Sequence, residues 1–153
     1  MRTALVETPI DIAAITAEVG RSSNGATLVF IGTVRDVNDG RPVSAMEYTT
    51  YRSMAARELN DIVHEASHRF GTTDIVVEHR LGALELGEAS VAIAVAHPHR
   101  GPAYDASRFV IEQLKARVPI WKLEHYIDGT REWVGAGSGK GEAGSGVTAG
   151  EAR

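Results

Sequence analysis

An α+β fold in a single domain is what the sequence predicts, on three observations. Strand-like alternation and helix-like periodicity both occur along the chain. The two are interleaved without the regular strand–helix–strand repeat of a doubly wound sheet. The 153 residues suffice for one hydrophobic core but not for two ordinary domains. With 43% hydrophobic and 24% charged residues the chain falls in the globular range, which excludes a disordered or fibrous polymer.

Alternating and β-branched residues predict strands over 3–7, 26–34, 43–51, 74–80, 90–97 and 120–127. Three helices are predicted between them. The first, over 10–19, follows Thr8-Pro9 and stops at Gly20, and the second, over 53–70, stops at Gly71. The third, over 102–118, must end before Pro119, whose ring clashes with a helical predecessor. Asn38-Asp39-Gly40 and Asp128-Gly129 read as turns. From Gly135 the composition changes to Gly, Ser, Ala and charge. Residues 1–134 are therefore read as the folded domain, with Trp133 and Val134 its last core residues, and 135–153 as a flexible tail.

Composition narrows the chemistry. There is no cysteine, so disulfides, thiolate metal sites and a cysteine nucleophile are excluded, and any sulfur chemistry must bring its sulfur on another molecule. Sixteen Lys and Arg against 20 Asp and Glu leave a net charge of -4, so no global positive field attracts nucleic acid and any anion site must be local. No run of about 18 apolar residues and no signal-like N-terminus occurs. The expectation is a cytoplasmic protein without a nucleic-acid or membrane partner.

Three motifs carry less than their pattern suggests. His64-Glu65-Ala66-Ser67-His68 has the H-E-x-x-H spacing of helical zinc sites. The apolar stripe of that helix is Ala55, Leu59, Ile62, Val63, Ala66 and Phe70, and both histidines fall roughly 150° to 170° from its centre, so a solvated face is expected rather than a metal site. Gly135-Ala136-Gly137-Ser138-Gly139-Lys140-Gly141 is one residue short of a phosphate loop and has Gly141 where a metal-binding hydroxyl belongs. Asp36-Val37-Asn38-Asp39-Gly40 misses the calcium-loop spacing by one.

A more coherent constellation lies in the second half. The 90–97 strand places Val91, Ile93 and Val95 on one face and delivers His97-Pro98-His99-Arg100-Gly101 to a helix start. Imidazole, guanidinium and helix N-terminal amides can together hold a phosphate, although a charged loop is the plainer account. Lys115, four residues after Ile111 and three before Val118, sits at the edge of its helix's apolar stripe, where partial desolvation is expected. Lys122 and Glu124 alternate onto one face of the 120–127 strand, with Trp121 and Leu123 on the other. Each lysine taken alone also fits a snorkelling surface residue.

Several separated segments, in order, resemble the large, catalytic subunit of molybdopterin synthase over about residues 25–134. They are Phe30-Ile31-Gly32-Thr33-Val34-Arg35, Met46-Glu47-Tyr48 with Tyr51 and Met54-Ala55, His79-Arg80-Leu81-Gly82, His99-Arg100 with Ala103-Tyr104, and Leu114-Lys115 leading to Val118-Pro119-Ile120-Trp121-Lys122-Leu123-Glu124. The resemblance implies an α/β-hammerhead domain with a mixed or antiparallel sheet. It also implies a homodimer within a heterotetramer, and a small ubiquitin-like subunit whose C-terminal thiocarboxylate carries sulfur to cyclic pyranopterin monophosphate. The product would be the dithiolene of molybdopterin, in molybdenum cofactor biosynthesis. It implies Lys115 and Lys122 as catalytic residues, and Thr33, Val34, Arg35, His99, Arg100, Lys115, Lys122, Leu123 and Glu124 as substrate-binding, with no metal and no cofactor. One departure is Leu123, where the family commonly has a second basic residue. The rival reading is a noncatalytic module that binds an anion or a ubiquitin-like tail with the same lysines.

Overall fold

The structure is a computed structural model that describes residues 1–135. In chain order its elements are β1 (Arg2–Val6), α1 (Ile12–Val19), β2 (Ala26–Thr33), β3 (Val37–Asn38), β4 (Arg41–Thr50), α2 (Arg52–Phe70), β5 (Ile75–Arg80), β6 (Gly82–Glu85), β7 (Ala89–His97), α3 (Arg100–Arg117), β8 (Ile120–Tyr126) and β9 (Arg131–Val134). The predicted α+β class is what these elements build.

One sheet has the order β1-β5-β7-β2, with β1 and β5 parallel and the other pairs antiparallel. Every residue of β7 from Ser90 to Ala96 is buried, because helices cover both faces of the sheet. Val91, Ile93 and Val95 pack with the α2 and α3 stripes, whereas Ala92, Ala94 and Ala96 face Ile15 and Val19 of α1. Short side chains on that face let the two-turn helix α1 lie close to the sheet. The α2 stripe is the predicted one, Ala55, Leu59, Ile62, Val63 and Ala66, and the helix stops at Gly71, which takes the left-handed φ of 70°. Helix α3 starts two residues earlier than predicted. Pro102 is accommodated in its first turn, where a backbone N–H has no intrahelical acceptor.

The second sheet is antiparallel throughout. Strand β4 is flanked by β8 on one side and by β3 and then β6 on the other, and β9 closes the far edge of β8. Strands β3, β6 and β9 were not predicted, being two to four residues long and largely exposed. The turn at Asn38-Asp39-Gly40 is confirmed: Asp39 and Gly40 have φ of 47° and 76°, the paired positive values of a type I′ hairpin. Trp133 departs from expectation. Predicted as core, it is 60% exposed at the sheet edge. The expected tail beyond Gly135, with its Gly-rich run, lies outside the described residues. Among the described residues no helix is long and apolar enough to cross a membrane.

Candidate active site

Where the C-terminal half of α3 passes the seam between the two sheets, a cleft of about 550 Å³ opens. Its polar lining comes from six elements: Thr33 of β2, Tyr48 of β4, His79 of β5, Ser90 of β7, Lys115 of α3 and Lys122 of β8. Local structure explains both lysines. Leu114 is buried in the core, and the next residue turns about 100° around the helix, which sets Lys115 at the rim. Lys122 is directly opposite Tyr48 in the β4–β8 ladder, so the two side chains share a face. Arg117, the other cation of the last α3 turn, is drawn away to α2 by Glu58 at 2.6 Å and Glu65 at 2.8 and 2.9 Å. Neither Lys115 nor Lys122 has a carboxylate within ion-pair distance among the described residues. Glu112, one turn before Lys115, adds a carboxylate to the rim.

The floor beneath the two cations is uncharged. His79 is buried, and its Nδ1 lies 2.8 Å from the Arg80 carbonyl oxygen, which can only accept, so Nδ1 carries the ring proton. Burial pushes the imidazole pKa down to about 4, against the opposing effect of that backbone hydrogen bond. The Tyr48 ring meets the imidazole edge-on, with centroids 5.3 Å apart and planes at 70°. Burial holds the Tyr48 phenol above its ordinary range, opposed by the neighbouring Ser90 hydroxyl and helped by a smaller contribution from the Glu124 charge. Ser90 Oγ in turn donates to the Gly32 carbonyl at 3.2 Å. At Gly32 a Cβ would stand 2.7 Å from Val91 Cγ1, so only glycine lets β2 run this close to β7 at the cleft wall.

Thr33, Lys115 and Lys122 thus come together as expected, and the other candidates do not. Lys115 is exposed, not partly desolvated as its stripe position suggested. Val34 is a core residue packed with Met46 and Leu84, its N–H donated to Glu88 and its carbonyl taken by Gly87. Leu123 is buried on the face of β8 opposite Lys122, paired with Trp133, so the basic residue missing there subtracts no charge from the cleft. Glu124 shares the face of Lys122 as predicted, but its carboxylate is buried and accepts from Asn38 Nδ2 at 2.9 and 2.7 Å and from the Tyr126 hydroxyl. Arg35 is exposed just beyond β2 and does not line the cleft. His99 and Arg100 open α3, and about 1.5 Å of rise per residue puts Arg100 roughly 22 Å from Lys115 along the helix. Tyr48, His79 and Ser90 were missed as site residues, because only the strand register brings them together.

His64 and His68 are exposed on α2, and among the described residues no group of three His, Asp or Glu is placed to hold a metal. Two cations over a neutral, hydrogen-bonding floor, with the Glu112 carboxylate at the rim, make a cleft that can take a small anionic group inside an α+β frame. Residues 5–117 match the family described as MoaE protein. The chain is 42% identical over 134 residues to the molybdopterin synthase catalytic subunit of Halalkalibacterium halodurans, covering 88% of this chain and 85% of that one. It is 43% identical over 115 residues to the protein of the same name from Emericella nidulans, covering 75% of this chain but only 59% of that longer one. Among solved structures, molybdopterin synthase from Staphylococcus aureus superposes with a TM-score of 0.81 at 36% identity, over 86% of this chain and 95% of that one. A complex of subunits 1 and 2 of molybdopterin-converting factor from Helicobacter pylori, at 22% identity and a TM-score of 0.68, shares the fold. The chain belongs to the MoaE protein family.

Proposed function

We propose that the protein is the catalytic subunit of a molybdopterin synthase, receiving sulfur from the C-terminal thiocarboxylate of a small ubiquitin-like subunit and transferring it to cyclic pyranopterin monophosphate. The observation that carries this reading is the convergence of Lys115 and Lys122 on one cleft in a chain of this family. Thiocarboxylate and phosphate are both anions, and two ammonium groups without carboxylate partners among the described residues suit them. Sulfur attack and opening of the cyclic phosphate leave charge on oxygen, which the ammonium groups stabilise and to which a lysine can deliver a proton. The absence of cysteine agrees with a protein that is handed its sulfur.

Lys115 and Lys122 are assigned as catalytic, and Thr33 as a substrate contact. His99 and Arg100 contact the same substrate only if a second copy supplies them, because one chain holds Arg100 roughly 22 Å from Lys115. A homodimer within a heterotetramer meets that requirement. Its test is a mixture of Lys115→Ala and Arg100→Ala chains, which should regain activity that neither has alone. Sedimentation at micromolar concentration checks the dimer itself. A cytoplasmic location goes with this reading and is checked by fractionation.

The decisive assay combines purified protein, thiocarboxylated small subunit and cyclic pyranopterin monophosphate, and looks for a dithiolene product. No product from reagents that work with a known synthase would leave the noncatalytic binding module as the better reading.

A further inference from the structure

Resting on the function proposed above, we propose that His79 contacts the bound ligand directly, its Nε2 lone pair accepting a hydrogen bond from an N–H group that enters the cleft. Three observations lead there. The imidazole is fixed as one tautomer, since Nδ1 gives its proton to the Arg80 carbonyl at 2.8 Å, and its plane is set by the edge-on ring of Tyr48. Its Nε2 has no hydrogen-bond partner among the described residues. Nor is Nε2 sealed in the interior, for the buried side-chain nitrogen or oxygen without a partner there is Arg80 Nε, and His79 itself lines the cleft.

An oriented acceptor at the floor of an open cleft is a recognition feature, because a buried lone pair left unmatched disfavours the complex. It also supplies a neutral acceptor that cannot turn to donate, unlike the rotatable Thr33 and Tyr48 hydroxyls that share the cleft. Lysine ammonium groups only donate, the Ser90 hydroxyl is engaged with the Gly32 carbonyl, and Glu112 at the rim is anionic. A neutral acceptor reads an N–H without repelling the anionic group held by the lysines. Depression of the imidazole pKa to about 4 keeps it in that form throughout the neutral range. Two donors fit: a ring or amino N–H of the pterin, or a glycine amide of the small subunit's tail.

Two variants separate ligand contact from structural support. His79→Asn can keep a donor near the Nδ1 position and loses the acceptor at Nε2, whereas His79→Gln can return an acceptor near Nε2 and loses the Nδ1 donor. Steady-state KM and kcat for cyclic pyranopterin monophosphate are measured with saturating thiocarboxylated small subunit, together with the Kd of the small subunit and the Tm of each variant. The expected result is that Asn raises either that KM or that Kd by about 10- to 100-fold while Gln stays within a few-fold of wild type. A change in KM alone identifies the pterin as the N–H donor, and a change in the Kd of the small subunit identifies its tail. The proposal is overturned if Asn behaves as wild type, or if both variants lose function in parallel with Tm. Should the wild-type chain form no product, the proposed function fails, and calorimetric Kd values of the variants for cyclic pyranopterin monophosphate and for the small subunit still decide the His79 contact by the same criteria.

Discussion

The two sheets of this molecule differ in what their buried faces contain. The β1-β5-β7-β2 sheet buries almost only aliphatic side chains between helices, with Val77, Ile93, Ala94 and Val95 all at 0% exposure. The sheet built on β4 and β8 buries Glu124, which accepts from Asn38 and from the buried Tyr126 hydroxyl, stacks the Arg41 guanidinium on the Tyr126 ring at 3.5 Å, and leaves Trp133 largely in solvent. Burial and the nearby Glu124 push the Tyr126 phenol up to about 12, so it stays a donor to that carboxylate. One sheet is a frame held by apolar packing. The other is a polar assembly that presents Lys122, and the cleft lies where the two meet. Damage to the frame should therefore appear as lost stability, and damage at the cleft as lost rate.

The sharpest test of that division is Lys115→Ala. The side chain is exposed at the rim, so folding and partner binding should survive while sulfur transfer falls by about 10²- to 10⁴-fold, the scale of losing a positioned acid or charge. Single-turnover rates beside an unchanged Tm would show it. A wild-type rate would remove Lys115 from the chemistry.

Next in size is the converse experiment in the frame. Ile93→Ala on β7 deletes a fully buried side chain at the centre of the larger core cluster and should cost about 2–5 kcal/mol of stability. Denaturant titration would measure the loss. The rate per folded molecule should stay near wild type, and a selective loss of rate in a variant of full stability would erase the distinction between the sheets.

How legible each region was in the sequence follows the same divide. The frame was readable because its residues obey simple periods. The α2 stripe recurs at helical spacing, and β7 is bounded by polar residues around a continuous apolar run. Strands β3, β6 and β9 were not readable, since two to four exposed residues carry no period and form only because β4 and β8 are there to pair with. Lys115 and Lys122 were singled out through the resemblance, and each alone looked like a surface lysine. That they share one cleft depends on α3 ending beside β8 and on Lys122 pairing with Tyr48, neither of which sequence spacing states. Glu124 shows the opposite limit: alternation placed it on the correct face, but its partner Asn38 comes from a hairpin 86 residues away.

A third test uses His79, which belongs to the frame by burial and to the cleft by position. Its pKa is lowered from 6.5 to about 4, chiefly by burial. In the unfolded chain it binds a proton below about pH 6.5 and in the folded chain only near pH 4, so between these values the unfolded state holds more protons. The neutral-imidazole contribution is thus fully present above pH 6.5 and is lost as pH falls towards 4. The size is about 3 kcal/mol at about 1.36 kcal/mol per pH unit. Stability measured from pH 7 to 4.5 should fall in wild type and fall less in His79→Gln, while equal slopes would place the imidazole in water.

The smallest effect is expected at the motif that most resembles a catalytic signature. His64 and His68 lie one turn apart on α2 with Glu65 between them, but both are exposed on the side away from the core stripe, and Glu65 is engaged by Arg117 at 2.8 and 2.9 Å. That ion pair lowers the Glu65 pKa, chiefly through its hydrogen bond to Arg117, which ties the carboxylate to α3 instead of leaving it to act as a base. Replacing both histidines with alanine removes no buried contact and breaks no side-chain hydrogen bond among the described residues. The double variant should keep its Tm to within about 2 °C and its full rate of sulfur transfer, the ordinary outcome for surface substitutions. Treatment with a metal chelator should likewise leave wild type unchanged. If the double variant or the chelated protein lost activity and added zinc restored only the wild type, the α2 surface would be a second centre and the division between frame and cleft would have to be redrawn.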